Sequence, residues 1–389
     1  MNRRSFLISV PFASLAGAFA AGKAAKGGAY IVYVGTNTHS KSKGIYAYRF
    51  QPSDGKVTPI GLVAETPNPS WLTVHPGLRY LYAVNEAELK REPGKPNNIS
   101  SFALDRASGK LTFLNRASAG GQGPCYVSVD RTGKTLLLAN YGSGSVAALP
   151  IQTDGRLGEA TAFVQHKGAS ANARPRGHCI LASPNNRFVL AADLGLDQVL
   201  VYRFDAAKGT LTPNDPPFAK IASGTGPRHI AFHPNRKLVY VVSEMGNIVT
   251  TFQYADSTGT LTELGTVSTL PKEFTAKSTS AEIEVDRAGK FLYTSNRGHD
   301  SIAQFAIDPK KGTLTPVEYV PTQGKTPRNF ALDPTGRYLF AANQDSNNIV
   351  LFRVDPNTGK LTPTGTVLDD APEPTRVMFV PALWSGRGL

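Results

Sequence analysis

Short apolar runs alternate with polar turns along nearly the whole chain, and the turns follow one pattern. Each turn has an aspartate, a few polar residues, a glycine and then a leucine or valine, with an apolar segment on either side. Runs of this length, separated by Asp and Gly, are typical of β-strands joined by hairpin turns. The pattern therefore predicts two antiparallel strands around each turn. The seven turns are Asp54–Val57, Asp105–Leu111, Asp154–Leu157, Asp205–Leu211, Asp256–Leu261, Asp308–Leu314 and Asp355–Leu361.

Two further motifs recur with the same period and add two strands to each repeat. One is a strand that often starts after proline, and its copies begin at Pro69, Pro124, Gly177, Pro227, Ser280, Pro327 and Pro374. The other is a tyrosine-rich apolar run, with copies at Tyr30–Thr36, Arg79–Asn85, Thr135–Asn140, Arg187–Asp193, Lys237–Ser243, Lys290–Asn296 and Arg337–Asn343. Each repeat thus supplies four short strands, which is the content of one propeller blade.

The three motifs together predict an all-β, seven-bladed β-propeller. An open array of blades would leave a hydrophobic face and an unpaired sheet edge at each end, and ring closure removes both. The repeats begin with a tyrosine-rich strand and end with a proline-initiated strand, Thr375–Val380. One blade is therefore expected to combine the C-terminal strand with three N-terminal strands. We predict a single propeller domain over residues 26–389.

Residues 1–25 predict an export signal that precedes this domain. The chain opens Met1-Asn-Arg-Arg-Ser-Phe-Leu7, and a weakly hydrophobic stretch follows. That stretch is too short and too mild to span a membrane, and paired arginines before it are typical of a twin-arginine signal peptide. Cleavage among Ala20, Ala21 and Ala25 would give a periplasmic or secreted protein without a stable membrane anchor. The alternative is an uncleaved anchor.

Composition narrows the classes of ligand. The formal net charge is +13, but the basic residues are scattered and not interleaved with aromatic residues, so no nucleic-acid groove is predicted. Such a surface suits a small anionic molecule, or is merely solvated. The absence of HExxH, CxxC and GxSxG motifs predicts no tightly held metal, no cofactor and no serine nucleophile. Cys125 and Cys179 could form a disulfide or remain buried thiols.

Equivalent positions of the repeats can be compared at the mouth of the central channel, because loops from all blades meet there. The second residues of the proline-initiated strands are Ser70, Cys125, His178, Arg228, Ala281, Arg328 and Thr375. The residues at the end of the tyrosine-rich strands are Asn37, Glu86, Tyr141, Leu194, Glu244, Arg297 and Gln344.

Charged residues at these positions fall in neighbouring repeats, which indicates one site. His178, Arg228, Glu244 and Arg297 are the predicted catalytic residues. A glutamate between arginines stays ionised, and arginines bind a carboxylate or phosphate through two hydrogen bonds. The alternative is a solvated rim.

Four other polar residues are predicted to bind substrate or to support the site. Arg328 and Glu86 occupy equivalent positions in other repeats, and Asp193 and Asn296 come slightly earlier in theirs.

The remaining histidines have simpler interpretations. His75 and His233 each precede a proline at a turn and are predicted to be structural. His229 follows Arg228, so strand alternation predicts that these two side chains face opposite sides of the sheet.

Four segments resemble the lactonase family of seven-bladed propellers, which includes propeller-type 6-phosphogluconolactonases and carboxy-muconate lactonising enzymes. They are Asp193–Val199, Gly226–Pro234, the Glu244 that follows Tyr240-Val-Val-Ser243, and Ser295–Gly298. The resemblance covers almost the whole chain after the signal. It implies a site of histidine, glutamate and arginines, and these roles match His178, Glu244, Arg228 and Arg297.

Hydrolysis of an anionic sugar-acid lactone by a monomeric enzyme is the leading hypothesis. The arginines would hold the anion and stabilise the oxyanion. Glu244 would orient or deprotonate water, and His178 would pass a proton to the leaving alkoxide. Two alternatives remain: closure of an unsaturated diacid into a lactone by a muconate-type cycloisomerase, and a non-catalytic propeller that binds proteins or envelope components.

Overall fold

All regular structure in the computed structural model, which describes residues 28–86, 98–170 and 172–383, is β-strand. The strands form seven antiparallel sheets of four strands each. The predicted all-β, seven-bladed β-propeller is therefore confirmed. Residues 1–25, the predicted signal peptide, lie outside the described residues. Within the described range, no helix is long and apolar enough to cross a membrane.

The strands are numbered in chain order and assigned to blades 1 to 7. Blade 1 contains β1 (Tyr30–Thr36), β2 (Gly44–Gln51) and β3 (Lys56–Glu65). Blade 2 contains β4 (Leu72–Val74), β5 (Tyr80–Val84), β6 (Ile99–Leu104) and β7 (Leu111–Ala117). Blade 3 contains β8 (Pro124–Val129), β9 (Thr135–Asn140), β10 (Ser145–Pro150) and β11 (Ala162–Gln165). Blade 4 contains β12 (Gly177–Ala182), β13 (Phe188–Asp193), β14 (Gln198–Asp205) and β15 (Thr210–Lys220). Blade 5 contains β16 (Pro227–Phe232), β17 (Leu238–Ser243), β18 (Ile248–Tyr254) and β19 (Leu261–Ser268). Blade 6 contains β20 (Thr279–Val285), β21 (Phe291–Arg297), β22 (Ser301–Ile307) and β23 (Leu314–Pro321). Blade 7 contains β24 (Pro327–Leu332), β25 (Tyr338–Asn343), β26 (Asn348–Val354) and β27 (Leu361–Leu368). The last strand, β28 (Pro374–Pro381), completes blade 1.

The proline-initiated strands are the innermost strands, and they contact one another around the ring. The tyrosine-rich strands lie second, and the aspartate–glycine turns join the two outer strands. Two predicted starts of inner strands are wrong. β20 begins one residue early, at Thr279 and not at Ser280, and β4 begins at Leu72 and not at Pro69. The cause of the later start of β4 is a turn, because Asn68 has a φ of 39° and its carbonyl accepts the Ser70 N–H at 2.8 Å.

The C-terminal strand closes the ring. β28 pairs antiparallel with β1, with Tyr30 opposite Pro381 and Thr36 opposite Pro374. Its Phe379 ring lies edge-on to the ring of Phe340 at 5.0 Å, which joins blade 1 to blade 7. Blade 1 is therefore built from both ends of the chain.

Tyrosines of the second strands tie neighbouring blades together. Their hydroxyls donate to glycine carbonyls in the aspartate–glycine turn of the next blade, and these glycines have φ near +70 to +80°, a conformation that favours glycine. The pairs are Tyr33 with Gly109, Tyr240 with Gly312 and Tyr293 with Gly359, at 2.9, 3.0 and 2.7 Å.

Two histidines make a second set of inter-blade contacts. The Nε2 atoms of His75 and His233 lie 2.9 Å from the carbonyl oxygens of Gly133 and Gly289 in the next blade. Their Nδ1 atoms accept backbone N–H groups of their own turns. The predicted structural role of both histidines is confirmed.

The innermost strands carry β-bulges near their starts. In blades 1, 3, 4, 5 and 7 the pairing register with the second strand shifts just after the first paired residue of the inner strand. In blade 6 it shifts after the second paired residue. In β12 and β16 the residues without a ladder partner are His178 and Arg228. A bulge bends the strand and changes the direction of its side chains. In β12 and in β16, the bulge residue and the residue after it therefore both point toward the channel.

Removing residues 374–389 should prevent the ring from closing, because β1 loses its inner neighbour and the faces of blades 7 and 2 lose their contacts. We expect an insoluble chain, or a melting temperature lower by more than about 15 °C, as measured by circular dichroism. A control chain that ends at Leu383 retains β28 and should melt like the full chain. A shortened chain that melts within a few degrees of the control would contradict closure by β28.

Candidate active site

The bulges and the ends of the second strands bring the four predicted catalytic residues to one mouth of the channel. His178 and Arg228 are bulge residues of β12 and β16, Glu244 follows β17, and Arg297 ends β21. Blades 4, 5 and 6 are adjacent, so residues far apart in sequence converge. All four side chains are at most 19% exposed.

Glu244 is the centre of this group. Its Oε2 accepts the Arg228 Nε–H at 2.9 Å, and its Oε1 accepts an Arg297 Nη2–H at 3.0 Å. Burial alone would raise the pKa of Glu244, but Arg228 and Arg297 outweigh it and lower the pKa to about 2. The carboxylate is therefore ionised at neutral pH, as predicted. Because so acidic a group is a weak base, the geometry favours Glu244 as the anchor of the arginines.

His178 lies beside this ion group as a neutral imidazole. Burial first, and then the positive charge of Arg228, lower the pKa of His178 well below its usual value. Its Nε2 is 3.9 Å from Glu244 Oε2, which favours the tautomer with the proton on Nε2. Its Nδ1 is buried and has no protein partner among the described residues. The ring thus presents an unused basic nitrogen.

Arg297 also retains hydrogen-bonding capacity. Burial and the nearby Arg228 lower the pKa of Arg297 to about 10, so it stays cationic at neutral pH. Its Nη2 donates to the Ser280 carbonyl at 3.3 Å as well as to Glu244, whereas its Nε is buried and unpartnered within the described chain. Orphaned buried donors are rare in folded proteins, which indicates a place for a ligand or water.

Arg328 and Glu86 meet at the same mouth. Arg328 Nη2 is 3.7 Å from Glu86 Oε1, and the two side chains are 22% and 29% exposed. The Ser70 hydroxyl donates to the other oxygen of Glu86. Blade 7 supplies Arg328 and blade 2 supplies Glu86, so the pair passes over blade 1. Because this contact is long and partly exposed, it is weak. An anionic ligand could therefore replace Glu86 as the partner of Arg328.

Asp193 and Asn296, predicted to bind substrate, have other partners. Asp193 accepts three backbone N–H groups of nearby turns and lies 2.6 Å from His166 Nδ1. Asn296 accepts from the Ser280 hydroxyl and donates to the Thr269 carbonyl. Both side chains are fully buried. Because their hydrogen bonds are used within the blades, they support the backbone and do not face the mouth.

The prediction for His229 is wrong. Because Arg228 is a bulge residue, simple alternation fails, and the His229 ring lies under the mouth, 5.2 Å from the His178 ring centre. The third residues of the seven proline-initiated segments form what we call the floor layer of the site. They contact one another across the channel. They are Trp71, Tyr126, Cys179, His229, Glu282, Asn329 and Arg376.

The two cysteines are free and buried. Burial raises the pKa of Cys125 well above its usual value and that of Cys179 to about 12, so both thiols are protonated and unreactive at neutral pH. Among the described residues, no three His, Cys, Asp or Glu side chains are arranged to hold a metal ion.

Known proteins are similar to this chain in sequence and in fold. The family described as "Lactonase, 7-bladed beta-propeller" matches residues 31–379. The 6-phosphogluconolactonase of Bacillus subtilis (strain 168) is 37% identical over 304 residues, covering 77% of this chain and 84% of that protein. A 6-phosphogluconolactonase of Formosa agariphila is 33% identical over 307 residues, covering 77% and 85%. The solved structure of the periplasmic gluconolactonase of Pseudomonas aeruginosa has a TM-score of 0.84 at 33% identity, covering 90% and 99%.

Proposed function

The chain belongs to the family of seven-bladed β-propeller lactonases, and we propose that it hydrolyses a sugar-acid lactone at the channel mouth. The observation that supports this most directly is the Glu244 carboxylate held between Arg228 and Arg297, next to a neutral His178. Three relatives of 33 to 37% identity are named as lactonases. This favours hydrolysis over lactone closure and over a non-catalytic propeller.

The proposed reaction is attack of water on the lactone carbonyl. His178 Nδ1, which is neutral and has no protein partner, takes a proton from the attacking water. Negative charge then develops on the carbonyl oxygen, and Arg228 and Arg297 stabilise it from a site that excludes most bulk water. When the bond between the carbonyl carbon and the ring oxygen breaks, His178 returns the proton to the ring oxygen. The product is a hydroxy acid.

Glu244 acts on the arginines in this mechanism. The two guanidinium groups repel each other, and the carboxylate between them offsets that repulsion. It also fixes each arginine through a charge-assisted hydrogen bond. The low pKa of Glu244 keeps this function intact down to acidic pH. Deprotonation of water falls to His178.

Arg328 is proposed to bind an anionic substituent of the substrate. It is more exposed than Arg228 and Arg297, and its contact with Glu86 is long. Relatives are named for a phosphorylated lactone and for gluconolactone, so both kinds of lactone belong in the substrate panel. Stronger turnover of a phosphorylated lactone, reduced in Arg328→Gln, would place the phosphate near Arg328.

We further propose that the enzyme is exported and works as a periplasmic monomer. Arg3 and Arg4 precede a weakly hydrophobic stretch, and the Pseudomonas aeruginosa relative is named as periplasmic. The twin-arginine route carries proteins that are already folded, which suits a propeller that must close through its last strand.

Glu244→Gln and Arg228→Ala should each lower kcat/KM for a gluconolactone by about 100-fold or more, because each removes part of the charge array that stabilises the oxyanion. Proton release in a pH-stat measures the loss, and circular dichroism checks the fold. His233→Gln, which removes a contact between blades far from the mouth, serves as the control and should retain normal kcat. Near-normal turnover in both mouth variants would refute this site while leaving the lactonase activity standing.

Catalysis should persist below pH 6.5, because His178 must be neutral and its pKa is lowered well below that value. The rate should fall only at more acidic pH. Replacing Arg328 by Gln removes one of the cationic neighbours that lower the pKa of His178, so the acidic limb should move to higher pH. Arg156→Gln, on an outer turn, is the charge-matched control. An acidic limb near pH 6.5 in the wild type, or one unmoved in Arg328→Gln, would argue against His178 as the base.

Replacing Arg3 and Arg4 by lysine should trap the protein in the cytoplasm with its N-terminus intact. The unmodified chain should be recovered from the periplasm, beginning near residue 21, 22 or 26. Cell fractionation and N-terminal sequencing measure both. Periplasmic recovery of the lysine variant would point to another export route, and cytoplasmic retention of the unmodified chain would remove the proposed location.

A further inference from the structure

His229 touches the proposed catalytic machinery from below but does not reach the mouth. It is 2% exposed, and it lies in the floor layer directly under His178. The proposed reaction gives it no role, although it is in direct contact with Arg228.

The contact with Arg228 is made by the face of the imidazole ring. Arg228 Nη1 is 3.3 Å from His229 Nδ1 and 3.2 Å from Nε2. A point almost equally distant from both ring nitrogens at this range would collide with the carbon between them if it lay in the ring plane. The guanidinium nitrogen therefore lies over the ring, which is the geometry of a cation–π contact.

This contact completes the fixation of Arg228. The same Nη1 donates to the Ala281 carbonyl at 2.6 Å, and Nε donates to Glu244 at 2.9 Å. The guanidinium is thus held at one edge by a carboxylate, at one nitrogen by a carbonyl, and on one face by the ring. Only 3% of Arg228 is exposed, so little freedom remains.

Glu282 fixes the ring itself. Its Oε1 lies 3.0 Å from His229 Nδ1 and accepts the N–H of Ile283 at 3.0 Å. Its Oε2 accepts from the Asn329 amide and faces Arg376 Nη1 at 3.6 Å. Burial raises the pKa of Glu282, but its other partners are all donors, so hydrogen bonding favours the carboxylate with the shared proton on Nδ1 of the imidazole.

Aromatic groups set the tilt of the ring. The centres of the Trp71 and Tyr126 rings lie 4.9 and 5.2 Å from that of His229, both edge-on. Trp71 is itself covered by the Arg376 guanidinium at 4.0 Å. The ring of His229 is therefore held by a hydrogen bond at one nitrogen and by packing on its sides.

We propose that His229, tethered by Glu282, is a positioning residue that holds the Arg228 guanidinium against Glu244 for oxyanion stabilisation. This inference rests on the proposed lactonase function of the mouth. It assigns the floor layer a role in catalysis through Arg228, without contact between His229 and substrate. The imidazole ring of His229 supplies both a flat face under the Arg228 guanidinium and a hydrogen bond to Glu282. An asparagine side chain at this position would supply only the hydrogen bond.

Two substitutions separate the two properties of the ring. His229→Asn keeps a donor for Glu282 but removes the face under Arg228, and it should lower kcat/KM about 100-fold, mainly through kcat. His229→Phe keeps the face and loses the tether, and it should retain more activity than the asparagine variant. The matched control is His166→Asn, because His166 is also buried and paired with a carboxylate but lies outside the channel. It should stay within about threefold of wild type in kcat/KM.

A double-mutant cycle tests whether His229 acts through Arg228. In an Arg228→Ala background, His229→Asn should change kcat/KM by less than about threefold, because the positioned group is already gone. Loss by the same factor in both backgrounds would overturn the proposal, as would a folded His229→Asn enzyme with normal kcat/KM.

A crystal structure of the His229→Asn protein gives a readout that needs no activity. The expected result is a displaced Arg228 that no longer donates to Glu244 through Nε. An unmoved Arg228, with Nε still about 2.9 Å from Glu244 Oε2, would refute the positioning role.

If the wild type hydrolyses no lactone, the proposed function fails, and the crystal structure still decides whether His229 positions Arg228. If this variant does not fold, His229→Phe in the same assays decides, since activity as low as that of Arg228→Ala would overturn the role of the ring face.

Discussion

Closure of the ring by β28 is the constraint on which the rest of the molecule depends. Each blade covers the face of its neighbour, so an unpaired inner strand would expose apolar surface on two blades. The mouth depends on closure as well, because the contact between Arg328 of blade 7 and Glu86 of blade 2 passes over blade 1. The contact between Arg328 and Glu86 therefore depends on the pairing of the last strand with the first.

Within that ring, the mouth is a network of charges removed from water. Burying ions is unfavourable unless they are paired and hydrogen-bonded, and Glu244 meets that condition by binding Arg228 and Arg297 together. Burial, and then the positive charge of Arg228, keep His178 neutral. One arrangement thus supplies both a fixed cationic surface and an unprotonated base.

Much of this could be predicted from sequence, and the failures have physical causes. The period of turns and apolar runs determines the blade number because every blade repeats the same four strands. Comparing equivalent positions identified His178, Arg228, Glu244 and Arg297, since a repeat places equivalent residues at equivalent heights. Strand alternation predicts the wrong face for His229, because a bulge leaves no signal in the alternation of apolar and polar residues. Asp193 and Asn296 lie near the level of the channel mouth along their strands, but their side chains bind local backbone groups. A single sequence does not show such hydrogen bonds.

The bulges have a consequence for how such a protein can change. A residue without a ladder partner is released from the pairing rules that govern its neighbours, so its side chain can differ between blades while the sheet stays the same. Equivalent positions here hold cysteine, histidine and arginine in three consecutive blades. If such a protein arises by duplication of one blade, each copy brings a place where new chemistry can be acquired independently of folding. The residues at the mouth can then change while the strand pairing that forms the ring stays the same.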